Sequence, residues 1–134
     1  MSDKFDVRDN VLYTKDHEWA DEKPEGIHVG ITAYAVDQLG DITLVNFDVK
    51  VGDAVTAGKP FGTIESVKTL SDLFSPVSGK ITAINPALES QPELVNEDCY
   101  GKGWMITIAP SDAGEKKGLL SAAAYRELLK SVAH

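Results

Sequence analysis

Cysteine is nearly absent from this 134-residue sequence, where Cys99 stands alone. A single thiol closes no internal disulfide and builds no Cys-rich metal site, so a reducing compartment is the simplest setting. Histidine is scarce as well. His17, His28 and His134 are the three, none spaced as in HExxH, which leaves zinc without a ligand set. No apolar run approaches the roughly 20 residues that cross a bilayer. The opening Met1-Ser2-Asp3-Lys4 has no apolar secretory segment, and its acid argues against a transit peptide, so a cytoplasmic protein is expected. Positive charge is short: 13 Lys and Arg face 21 Asp and Glu, a net charge of -8. That field repels phosphate backbones and anionic membrane surfaces, and it argues against nucleic acid or membrane as partners. A P-loop is missing, and Gly101-Lys102-Gly103 lacks the third glycine and the strand-to-helix setting of a dinucleotide site.

What is present suffices for one core. Hydrophobic residues make up 43% and charged ones 25% of the chain, an ordinary globular balance. No linker or sharp change of composition divides residues 1–134, so a single domain is expected. Short β-prone runs recur at Val11–Tyr13, Gly26–Ile31, Asp41–Val51, Ala54–Val55, Pro60–Val67, Leu70–Phe74, Gly79–Asn85 and Trp104–Ala109. The cluster Asp21–Gly26 reads as a turn between the first two. No helix falls between the central strands, which disfavours a parallel sheet and points to an all-β barrel or sandwich. Two helices are expected at the flanks. Thr32 is placed to cap one over 32–39 that ends at Gly40 in a left-handed conformation. Ser121 is placed to cap a C-terminal helix of about 121–132, with Ala124, Tyr125, Leu128, Leu129 and Val132 as its apolar stripe and Gly114 and Gly118 as breaks before it.

Candidate chemistry is sparse. Cys99 follows Glu97 and Asp98, acids that raise a thiol pKa, so it reads as a loop thiol rather than a nucleophile. Trp19, Phe47 and Trp104 have no regular spacing and read as packing residues. No acid, base and nucleophile constellation can be assembled, and an enzyme is not expected. One lysine stands apart. Lys68 and Thr69 lie between the β-prone runs 62–67 and 70–74, where a tight hairpin holds the ammonium outward within reach of a second protein. A plain solvated turn lysine fits the same pattern, and composition alone favours it.

Further residues bear on that choice. Glu65-Ser66-Val67-Lys68, then Ser71-Asp72 and Ser75-Pro76-Val77-Ser78-Gly79, resemble the lipoyl-attachment segment of the H proteins of the glycine cleavage system. The resemblance continues in Tyr13–Trp19, in Val29–Thr32 with Leu39–Ile42, and in Pro92–Asn96 with Tyr100–Trp104, in the family's order along nearly the whole chain. It implies a mainly β fold, a barrel-sandwich hybrid of two antiparallel sheets with short flanking helices and a C-terminal helix. It also implies lipoic acid in amide linkage on Lys68, with Gly52 and Gly79 matching the glycines that flank such hairpins. Both glycines read as turn residues, where only glycine tolerates a positive φ. The implied role is that of a carrier. A pyridoxal-phosphate glycine decarboxylase loads an aminomethyl group, a tetrahydrofolate-dependent aminomethyltransferase takes the carbon and releases ammonia, and a dihydrolipoamide dehydrogenase restores the disulfide. Glu18 and Asp72 match the acids that hold the loaded amine, and Glu65 matches an acid read by the lipoate-attaching enzyme.

Some positions depart from the family pattern. Asn46–Lys50 replaces a Glu-Leu-Pro stretch, Thr69 a small apolar residue, Cys99 a common proline, and Gln38 a histidine of some members. They touch neither the lysine nor its flanking acids. Biotin carriers place Met on both sides of their lysine, and lipoyl domains of 2-oxoacid dehydrogenases are shorter and commonly have Asp before and Ala after it, whereas Val67 and Thr69 flank this one. An H-like protein that relays lipoyl groups to other proteins would share the motif, and reconstitution with partner enzymes separates it.

Overall fold

A computed structural model describes residues 6–132. Met1–Lys4 and His134, discussed above from sequence, lie outside them. Nine strands form two sheets in which every pairing is antiparallel. The larger sheet contains β1 (Leu12–Tyr13), β2 (Glu18–Lys23), β3 (Gly26–Ile31), β5 (Ala54–Val55), β8 (Gly79–Ile84) and β9 (Ile106–Pro110), in the order β1-β2-β3-β9-β8-β5. The smaller contains β4 (Ile42–Phe47), β6 (Pro60–Ser66) and β7 (Leu70–Phe74), in the order β4-β6-β7. Helices α1 (Ala33–Leu39), α2 (Ala87–Ser90), α3 (Leu94–Glu97) and α4 (Ala122–Val132) and a 3-10 turn at Ala113–Gly118 lie between and after the strands.

The inward side chains of the two sheets make the main core. Val45, Phe61, Ile64 and Leu73 come from the small sheet, and Ile27, Val29, Ile81, Ile106 and Ile108 from the large one. Burial of each such side chain is worth about 1.5–3 kcal/mol. A second cluster forms beneath α4, where Tyr125 and Leu129 meet Tyr13 and Trp19, and the Tyr13 and Tyr125 rings stack 4.4 Å apart. The Tyr13 hydroxyl donates to the Arg8 carbonyl at 2.8 Å and so enters the core with its polar atom satisfied.

The expected barrel-sandwich architecture is present, and local reasons for several elements are as the sequence suggests. Thr32 Oγ1 accepts from Ala35 N–H and caps α1, which ends at Gly40 with φ at 81°. Ser121 Oγ accepts from Ala124 N–H at the start of α4. Four readings change. Asp21–Lys23, read as the beginning of a turn, instead complete the strand Glu18–Lys23, which pairs with β3 from Glu18↔Ile31 to Lys23↔Gly26. Its charged end projects outward, and Asp21 forms an ion pair with Lys23 at 3.3 Å. The run from Asp41 stops being a strand at Phe47, and the helix stripe uses Ala122, with Ala124 turned to solvent. The Val132 side chain lies outside the described residues. Residues 113–118 form a 3-10 turn rather than a simple break, with Asp112 Oδ1 accepting from Gly114 N–H.

Candidate functional site

The β6–β7 hairpin carries Lys68 at its crest. Ser66 N–H donates to the Thr69 carbonyl at 2.8 Å, which makes Val67 and Lys68 the central residues of a four-residue turn. The Ser66 hydroxyl oxygen accepts from the Lys68 and Thr69 N–H groups, at 3.2 Å each, a local side-chain turn that needs no core contact. Lys68 is exposed, as are Val67 and Leu70 beside it. Glu65, three residues earlier, is exposed between Leu44 of β4 and Leu70 of β7, its paired neighbours in the sheet.

A cleft of about 160 Å³ opens along the outer edge of β7. Ile31, Leu39, Ile64 and Leu73 supply apolar walls, and Glu18 and Asp72 both line it. The two acids brought together by this cleft differ sharply. Asp72 is exposed, paired in the sheet with Thr63. Glu18 is only 2% exposed, and burial pushes its carboxyl up to about 8. Two hydrogen bonds oppose that shift, from the Thr14 hydroxyl at 2.7 Å and, more weakly, from Phe74 N–H at 3.4 Å. At neutral pH the group is therefore mostly an uncharged acid. Lys68 and Glu65 do not line the cleft; they stand on the same hairpin beyond its end.

His17 also borders the cleft, a place the sequence did not mark for it. Its backbone has φ at 69°, a conformation that spacing cannot reveal. Its Nδ1 lies 2.8 Å from the Tyr125 hydroxyl, which in turn is 2.7 Å from Thr32 Oγ1. Burial lowers the His17 pKa, which favours the neutral ring, and that ring lies between Tyr125 of α4 and Tyr34 of α1, whose ring centroid is 4.6 Å away.

The flanking glycines divide. Gly52 sits in a turn at φ 97°, as the sequence suggests. Gly79 does not: it is the first residue of β8, with no positive φ, and a Cβ there would lie 2.1 Å from the Ala109 carbonyl oxygen. Close approach of two strands, not turn geometry, excludes a side chain. Cys99 accepts at its carbonyl from the Trp19 indole at 3.0 Å, and its thiol is pushed up to about 11. Burial is the largest cause, ahead of the neighbouring acids. The thiolate, which is the nucleophilic form, is therefore disfavoured at neutral pH. Among the described residues no cluster of His, Cys, Asp and Glu is arranged for a metal ion, and no helix is long and apolar enough to cross a membrane.

Two antiparallel sheets, a lysine at a hairpin crest and a cleft lined by Glu18 and Asp72 define a class by fold, that of small antiparallel β sandwiches. Comparison with known proteins narrows it. Residues 11–132 match the family model described as "Glycine cleavage H-protein". The glycine cleavage system H protein of Bacteroides fragilis is 48% identical over 91% of this chain and 96% of its own length. A probable glycine cleavage system H protein of Haloarcula marismortui is 45% identical over 94% of this chain and 98% of its own. The crystal structure of a glycine cleavage system H protein from Mycobacterium marinum superposes with a TM-score of 0.82 at 38% identity, covering 96% of this chain and all of that one. The chain belongs to the glycine cleavage H-protein family.

Proposed function

We propose that the chain is the lipoyl carrier of the glycine cleavage system, with lipoic acid in amide linkage on Lys68. It passes an aminomethyl cargo from glycine decarboxylase, a pyridoxal-phosphate enzyme, to the tetrahydrofolate-dependent aminomethyltransferase. Family membership supports the role and these two partners. The observation that carries the residue assignment is an exposed lysine at a hairpin crest whose outer strand borders a cleft holding two acids. In the same reading dihydrolipoamide dehydrogenase restores the disulfide, and a lipoate-attaching enzyme that reads Glu65 installs the group. The chain acts as one domain over residues 1–134 and is a substrate of its partners, not an enzyme. A reducing cytoplasm suits its unpaired Cys99.

When bound, the lipoyl group supplies a disulfide that takes the cargo on one sulfur. The protein's part is positional and electrostatic. The Ser66 turn keeps Lys68 in solvent, where an attaching enzyme reaches its amine. The apolar walls of the cleft exclude water from a cargo that water would release as formaldehyde and ammonia. Glu18 and Asp72 meet the cationic amine. A cation brought to about 4 Å from a carboxylate, at an effective dielectric near 20, would favour the charged form by about 4 kcal/mol. That is about three pK units, enough to carry an acid from about 8 to below neutrality. Glu18, raised by burial, would thus ionise beside a cationic amine.

Reconstitution with purified partner enzymes tests the proposal. Lipoylated chain should support tetrahydrofolate-dependent release of carbon dioxide from glycine, and Lys68→Arg, equally stable to heat, should support none. Activity retained by Lys68→Arg would refute the assignment.

A further inference from the structure

The crest that carries Lys68 does not stand free. Of residues 67–69, Val67 is the one whose backbone bonds outside the hairpin among the described residues, its N–H donating to the Asp41 carbonyl at 3.0 Å. Asp41 lies in the short link between α1 and β4, and each of its neighbours also meets the crest. Ile42 pairs with Ser66, and Gly40 lies under the lysine stem, where a Cβ would come within 3.1 Å of Lys68 Cε. The crest is therefore placed as well as this link is placed.

A side chain from far along the chain fixes the link. Asn96 Nδ2 donates to the Gly40 carbonyl at 2.9 Å, and Asn96 Oδ1 accepts from Ile42 N–H at 2.9 Å. One carboxamide so pairs with the groups on either side of Asp41 and leaves the Asp41 carbonyl for Val67. Asn96 is itself held by α3, whose Val95 is fully buried in the main core. The chemistry demands asparagine. Aspartate keeps the acceptor but turns an oxygen towards the Gly40 carbonyl, and glutamine adds a methylene that the matched 2.9 Å contacts do not accommodate.

We propose that Asn96 is a positioning residue for the lipoyl-lysine crest, acting through residues 40–42 on Val67 and so on Lys68. This deepens the carrier reading of Lys68 and rests on it. Without the clamp the crest spends only part of its time in the conformation that an attaching enzyme accepts. The apparent KM for the chain then rises by the inverse of that fraction while kcat holds, because a chain once seated reacts normally.

The test uses the full-length unlipoylated chain with a lipoate-attaching enzyme, and amide hydrogen exchange on the same samples. Asn96→Asp and Asn96→Ser are expected to raise KM about fivefold or more with kcat within about twofold. They should also speed Val67 N–H exchange about tenfold and leave Ile106 and Ile108 in β9 unchanged. Asn85→Ala is the matched control, since the Asn85 amide also donates to two backbone carbonyls, those of Lys102 and Trp104, away from the crest. It should lower Tm and leave KM alone. Unchanged Val67 exchange in the Asn96 variants, or an equal KM rise in Asn85→Ala, would overturn the proposal. Lys68→Arg separates the two readings: if it still accepts the acyl group, the lysine assignment fails, and Val67 exchange alone judges Asn96.

Discussion

A glutamate held at 2% exposure pays for its charge in lost hydration, and burial therefore favours the protonated form of Glu18. Its folded pKa, about 8, stands above the ordinary 4.5. For an acid raised in this way the fold binds the proton more tightly than the unfolded chain does. The stabilisation is whole below about 4.5 and is lost as pH climbs towards 8. Glu18→Gln has no such dependence. From pH 5 to pH 8 the parent should lose roughly 3 kcal/mol relative to Glu18→Gln, about 10 °C in Tm. Melting curves that shift in parallel would show that Glu18 is not the buried acid described. Residues of this kind are half legible in sequence. Glu18 could be named from its block, but its burial follows from Phe74, 56 positions away, and from cleft walls between Ile31 and Leu73. The turn at Lys68 is more legible, because its own Ser66 hydroxyl closes it locally, whereas its anchoring through Asn96 is not.

At the scale of elements, the strands most readily recognised are those whose β-branched residues alternate, and β2 escapes because three of its six residues, Asp21, Glu22 and Lys23, carry charge at the exposed end. The short helices α2 and α3 offer too few turns for a helical period to register. The two flanking glycines test the physical reasons given for them. Gly79→Ala forces a Cβ to 2.1 Å from the backbone oxygen of Ala109 in the next strand and should cost about 2–4 kcal/mol. Gly52→Ala meets open space and is opposed only by φ at 97°, at about 1 kcal/mol. Thermal unfolding of the two variants checks the order, and equal losses would contradict it.

For the molecule as a whole, the lack of a helix from β4 to β8 made an antiparallel sandwich legible, although α2 and α3 do fall between β8 and β9, where no helix was expected; the order of strands was not legible. Ile27 pairs with Ile108 across about 80 intervening residues, and no local pattern encodes such a partner. The cleft beside β7 is likewise assembled from separate stretches, residues 16–18, Ile31 with α1, Ile64 and residues 71–73, so it was out of reach of the sequence although the hairpin that carries Lys68 was not. Protein made in cells that synthesise lipoate, digested and mapped by mass spectrometry, should carry a lipoyl amide on Lys68 and on no other lysine. A lipoyl group found elsewhere, or on none, would contradict the account.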